Sequence, residues 1–167
     1  MTSVSPLGRY SGAADDTTLH EVRLLRLPLR LLVAGREHHD DLMREFALMA
    51  LSPGSRSVLP ARLTDLVEIL GVRYGAATAR PSAEVDRALQ RGDETVDLTY
   101  TVPAHVVEDA ARLNALMREA DEFCTSEQLL TVCRSPVVVA FSEWYLEEFQ
   151  RQVAGEPPRP WDGPLTV

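Results

Sequence analysis

The chain has 167 residues, of which 45% are apolar and 25% charged, with a formal net charge of −8. That suits one ordinary soluble domain with a real core. The carboxylate excess opposes non-specific nucleic-acid binding and attachment to an anionic membrane surface, and no apolar run is long enough to cross a bilayer. A protein or a small molecule is left as the partner.

Residues 1–19 are rich in Ser, Gly and Thr and lack the apolar stretch of a signal peptide, so they read as a disordered lead-in to a cytoplasmic protein. A first strand runs from Val22 to Leu27. Leu25, Leu27, Leu29, Leu31 and Val33 continue to alternate, so the strand could extend past Pro28, with the proline at a sheet edge or a bulge. Helix one is expected from Gly35 to Leu51, with Leu42, Phe46, Met49 and Ala50 turned inward and Ser52, Pro53 and Gly54 stopping it. A helix opening at Pro60 follows, buried through Leu63, Leu66, Val67 and Leu70. Ser82 then caps a separate short helix carrying Val85, Ala88 and Leu89, which Gly92 ends.

The second strand is the clearest in the chain. Val96, Leu98, Tyr100 and Val102 alternate with Thr95, Asp97, Thr99 and Thr101, as in an antiparallel sheet covered on one face. After Pro103, Val106, Ala110, Leu113, Met117, Ala120 and Cys124 recur every three or four residues and define an amphipathic helix. Leu129 to Cys133 reads as a third short strand. A last helix spans Pro136 to about Val153, with Val138, Ser142, Tyr145, Leu146 and Phe149 as its core stripe.

The order strand, proline, helix thus occurs three times, and the first two helices share the tetrapeptide LMRE, at Leu42–Glu45 and Leu116–Glu119. The pattern predicts an α+β domain over residues 20–154, with a small antiparallel sheet built from strand–Pro–helix units and helices packed on one face. Residues 155–167 form a proline-rich tail, expected to lie against the body with Trp161 as its anchor. Cys124 and Cys133 flank apolar stretches and read as two buried free thiols.

Candidate chemistry is sparse. His38, Asp41 and Glu45 share a helical face and could hold a metal, with His39 beside them. Acidic residues in a first helical turn also serve simply to oppose the helix dipole, and His39 falls on the side of Leu42 and Phe46, as a packing residue would. No glycine-rich phosphate loop, nucleophile elbow or Cys–His pairing occurs, so no catalytic residue and no cofactor is expected. On the last helix Trp144 lies off the core stripe, beside Phe141 and Glu148. Two readings stand for it: a protein-binding surface formed by Phe141, Trp144, Glu148 and Trp161, or a Trp144 covered by the returning tail or by another helix. The LMRE pairs, Arg44–Glu45 and Arg118–Glu119, are either ordinary surface charges or equivalent docking points.

The segments LRLP and GREHHDDLMREFALMAL between Leu24 and Leu51, the stretch Val96–Cys124, and the ending SEWYLEEFQRQVAGEPPRPW resemble small bacterial regulatory proteins of sigma-factor partner-switching systems. Such proteins accompany anti-sigma-factor kinases, their antagonists and phosphatases. The resemblance implies a stress-response regulator acting through protein contact. The kinases' ATP site, with a helical asparagine for magnesium and a DxGxG turn, is not matched, because the sole asparagine is Asn114 and no such turn occurs. The sequence therefore predicts a non-enzymatic regulatory protein that contacts another protein. Two alternatives are a degenerate nucleotide-binding relative of the kinases, and a metal binder or enzyme using His38, His39, Asp41 and Glu45.

Overall fold

A computed structural model describes residues 18–50, 59–125 and 133–167. Its elements run β1 (Leu19–Pro28), α1 (Leu29–Ala50), α2 (Leu59–Arg91), β2 (Thr95–Pro103), α3 (Val106–Thr125) and α4 (Pro136–Val153). The two strands pair antiparallel, and the fold is α+β. Of the lead-in, residues 1–17 lie outside the described residues, and Leu19 already belongs to β1. Most of the expected third strand, residues 129–132, also lies outside them, while Cys133 is exposed irregular backbone and not a buried strand residue. The side chain of Cys124 lies outside the description too.

The sheet turns its apolar side inward through a bulge. Leu24 pairs with Leu98 and Leu27 with Val96, so Leu25 and Arg26 together oppose Asp97. Without the extra residue, strict alternation after Val22 and Leu24 would aim Arg26 at the core. The bulge shifts the parity by one, and Leu27 is buried instead. Arg26 takes a left-handed φ of 55°, and its N–H donates to Asp97 Oδ1 at 2.7 Å, which offsets part of the strain. The strand does not run past Pro28, which ends it, and the bulge lies at Leu25 and Arg26.

Helix α1 begins at Leu29, six residues before the predicted start. Pro28 ends the strand, and the leucine-rich residues after it suit a helix as well as a strand. Leu29 N–H donates to Glu94 O at 3.0 Å, tying the helix start to the turn before β2. The predicted pair of helices around Pro60 and Ser82 is one helix, α2, with Pro81 inside it. Proline removes one intrahelical bond and favours a break. Here Pro81 is itself buried, and Val85 and Ala88 beyond it pack into the sheet-side core, so tertiary packing carries the helix through.

Burial divides the interior in two. One core joins Val22, Leu24, Leu27, Leu98, Tyr100 and Val102 of the sheet to α4, the end of α2 and Trp161. The other lies at the far end of the helices, where Leu42 and Phe46 meet Leu63, Leu66, Leu116 and Ala120.

The face of α4 that packs inward is not the predicted stripe alone. Phe141, Trp144 and Glu148 are buried together with Val138 and Phe149, while Ser142, Tyr145 and Leu146 stay partly accessible. The tail explains the rotation. Gly155, at a φ of 89°, turns the chain out of the helix, and Trp161 comes to rest against Phe141 and Trp144 at ring distances of 5.6 and 5.5 Å. Trp161 N–H donates to Leu25 O, and Gln152 exchanges two hydrogen bonds of 2.8 Å with the backbone of Arg23. The tail and α4 thereby cover the edge of β1 that β2 does not pair, which blunts an otherwise open template for strand addition.

A candidate ligand cleft between two cores

Between the two cores the helices do not close. Leu32 of α1, Val67 and Leu70 of α2, Leu113 and Met117 of α3, and Leu146 of α4 all point inward, yet each remains partly accessible. They line a cleft of about 360 Å³. A second lobe of about 290 Å³ lies between Leu70, Tyr74, Val102, Val106, Leu146 and Phe149. Leu70, Leu113, Tyr145 and Leu146 wall both lobes, so the two adjoin. Together they fall within the roughly 300–1,000 Å³ of small-molecule sites, which are mostly apolar with a few placed polar groups.

Those polar groups are few here, and most are already committed. Tyr74 Oη donates to Asp109 Oδ2 at 2.7 Å, and Arg73 reaches the same oxygen at 2.6 Å. Arg134, whose side chain is almost wholly buried, makes a bidentate pair with Asp121 and holds the start of α4 to α3. Tyr100 and Tyr145 share a hydrogen bond of 2.7 Å between their hydroxyls, at the sheet-side wall. Burial pushes both phenols above their ordinary value, Tyr145 strongly, against an opposing effect of the Arg36 charge. Both hydroxyls therefore keep their protons. His39 lines the cleft mouth, and burial lowers its basicity despite the neighbouring Asp40. Its neutral form is favoured. Arg36 stands at the same mouth, and no carboxylate lies within ion-pair distance of it among the described residues.

The residues singled out in the sequence are placed elsewhere. Phe141, Trp144, Glu148 and Trp161, expected as a protein-binding surface, are all buried inside the chain. Their occupant is the chain's own tail, so that reading is corrected. Glu148 is 0% exposed; it accepts from Arg151 Nη1 at 2.5 Å, Gln152 Nε2 at 2.9 Å and the Arg159 N–H at 3.0 Å. A carboxylate so surrounded serves to fasten the tail.

The two LMRE segments are not equivalent either. Arg44 pairs with Asp41 on its own helix, whereas Arg118 bonds Glu143 of α4 and Glu119 bonds Arg62 of α2. As a metal site, His38, Asp41 and Glu45 do not converge: no group of three His, Cys, Asp or Glu side chains capable of holding a metal occurs among the described residues. His39 is half-buried and lines the cleft mouth.

Sequence reasoning passed over Arg36 and the Tyr100–Tyr145 pair. The signal lay in α4, which carries two apolar faces where a surface helix needs one. Comparison with protein-family models, with curated proteins and with solved structures finds no match to this chain.

Proposed function

We propose that this chain is a non-enzymatic binding protein whose cleft takes a small, largely apolar molecule, and that occupancy of the cleft governs its contact with another protein. One observation carries the reading. Leucines of four helices face inward and still reach solvent. Protein interiors are close-packed, and unfilled apolar volume costs roughly 24 cal/mol per Å³ in measured core cavities. A stable fold that leaves such volume open is suited to having it filled.

Titration with an uncharged naphthylamine, which fluoresces in apolar surroundings, tests this. A saturable one-site rise is expected. No rise at any concentration would contradict the reading.

The wider role, that of a regulator in sigma-factor partner switching, draws support from a second feature. Ile69 and Val72 are exposed on α2, Val72 at 85%, and with the exposed Ala76, Ala79 and Ala83 they make an uncovered stripe at three- and four-residue spacing. This replaces the buried face of α4 as the protein-contact surface. Val72→Glu should abolish capture of the partner while leaving the melting temperature within about 2 °C, because a surface substitution usually changes stability by under about 0.5 kcal/mol. Undiminished capture would remove α2 from the interface. The nucleotide-binding alternative suits the cleft less well, since one arginine uncommitted among the described residues, set among leucines, is a poor cradle for a triphosphate and its metal.

A further inference from the structure

Resting on the cleft reading, we infer that the ligand is an amphiphile with a single carboxylate head, its apolar body between Leu70, Leu113 and Leu146 and its head between Arg36 and the Tyr100–Tyr145 hydroxyl pair. Three observations converge on this chemistry.

The first is the hydroxyl pair. Each phenol carries one O–H, and in a pair only one hydrogen lies between the two oxygens. The other hydrogen is left to donate, and neither oxygen has a further partner among the described residues. A spare donor beside an apolar cleft calls for an acceptor on the ligand.

The second is charge. Arg36 lines the cleft mouth without a carboxylate partner among the described residues, on the same lobe as Tyr145. Arg134, which also lines the cleft, is bound to Asp121, and Arg73 is bound to the lining Asp109. One guanidinium with one hydroxyl donor matches the single charge and two oxygens of a carboxylate. A phosphate dianion would lack donors here. Asp40, one turn along α1, also lines the mouth and is exposed, as Arg36 is, and the neutral form favoured for His39 adds no second cation.

The third is the remainder of the wall. Away from Arg36, His39, Asp40 and the tyrosines, the polar groups lining the cleft are Arg134, Ser142, Thr78 and Asp109. Ser142 donates to Val138 O and Thr78 to Gly75 O, so both hydroxyl hydrogens are used within their helices. Asp109 is paired with Arg73 and Arg134 with Asp121, so among the described residues no unpaired charge lines the cleft away from its mouth.

The test compares decanoate, decanol and decyltrimethylammonium by calorimetric titration of the full chain at neutral pH, where the carboxylate is ionised. Decanoate should bind at least tenfold tighter than decanol, and the cation more weakly than either. Arg36→Gln should bring decanoate to within about threefold of decanol without weakening decanol, and Tyr145→Phe should reduce the preference several-fold.

Equal binding of decanoate and decanol by the unaltered protein would overturn the head-group assignment while leaving the cleft intact. An equal loss of both ligands in Arg36→Gln would also overturn it, by making Arg36 a structural residue. Failure of all three to bind would instead overturn the cleft reading and this inference with it.

Discussion

Trp161→Ala should cost about 3–5 kcal/mol, the usual loss for a buried large aromatic truncated to alanine. Trp161 is 5% exposed although it lies six residues from the chain end. Its ring meets Phe141 edge-on at 89°, its indole N–H donates to Pro164 O at 2.8 Å, and its backbone N–H donates to Leu25 O. Aromatic pairs of this geometry add about 0.5–1.5 kcal/mol beyond the area they bury. For a chain of this size each kcal/mol lowers the melting temperature by roughly 2–4 °C, so a fall of about 10 °C is expected. Trp144 should become solvated in the same variant, because its indole N–H loses Arg159 O as the tail comes away. A red shift of the remaining tryptophan emission would report that. An unchanged melting temperature would mean the tail rests on the body without holding it.

Leu146→Trp should do the opposite for stability and abolish binding. Leu146 walls both lobes of the cleft and is partly accessible, so the larger ring has empty volume to enter. Filling a cavity commonly adds about 0.5–2 kcal/mol. Forcing the same ring into a closed core would instead cost about 1–3 kcal/mol. The sign of the change therefore decides whether the space is open. With the space filled, affinity for an apolar ligand should fall by at least a factor of about one hundred, equivalent to roughly 2.7 kcal/mol. Destabilisation together with retained binding would contradict the cleft on both counts.

How much of this the sequence disclosed depends on the element. β2 was legible because strict alternation from Thr95 to Val102 has one physical meaning, a sheet with one wet face. The stripe from Val106 to Ala120 was legible for the equivalent helical reason. The start of α1 was not, because Leu25 to Val33 alternates while also consisting of residues at home in a helix. In the fold Pro28 ends the strand and the helix starts at Leu29, whose N–H bonds Glu94 O. The run of α2 through Pro81 was hidden because a proline's local cost is visible in sequence, whereas the packing of Val85 and Ala88 that overrides it is not.

The site followed the same division. Phe141, Trp144 and Glu148 stood out as an unusual set, and they are one: a seat for the tail, fastened by a buried carboxylate. Their burial turns Tyr145 and Leu146 toward the cleft. That coupling joins residues of α4 to a tail many positions away, which periodicity along a single helix does not encode. The Tyr100–Tyr145 contact spans 45 residues and has no local signature at all.

The most direct measurement is a methyl NMR titration of leucine-labelled full chain with decanol, which carries no charge and so reports on the cleft alone. Saturable shifts are predicted at Leu32, Leu70, Leu113 and Leu146, with Leu24 in the sheet core and Leu42 and Leu63 in the far core unmoved. Shifts absent from those four, or confined to the exposed Leu19, Leu48 and Leu89, would contradict an open apolar site between the two cores.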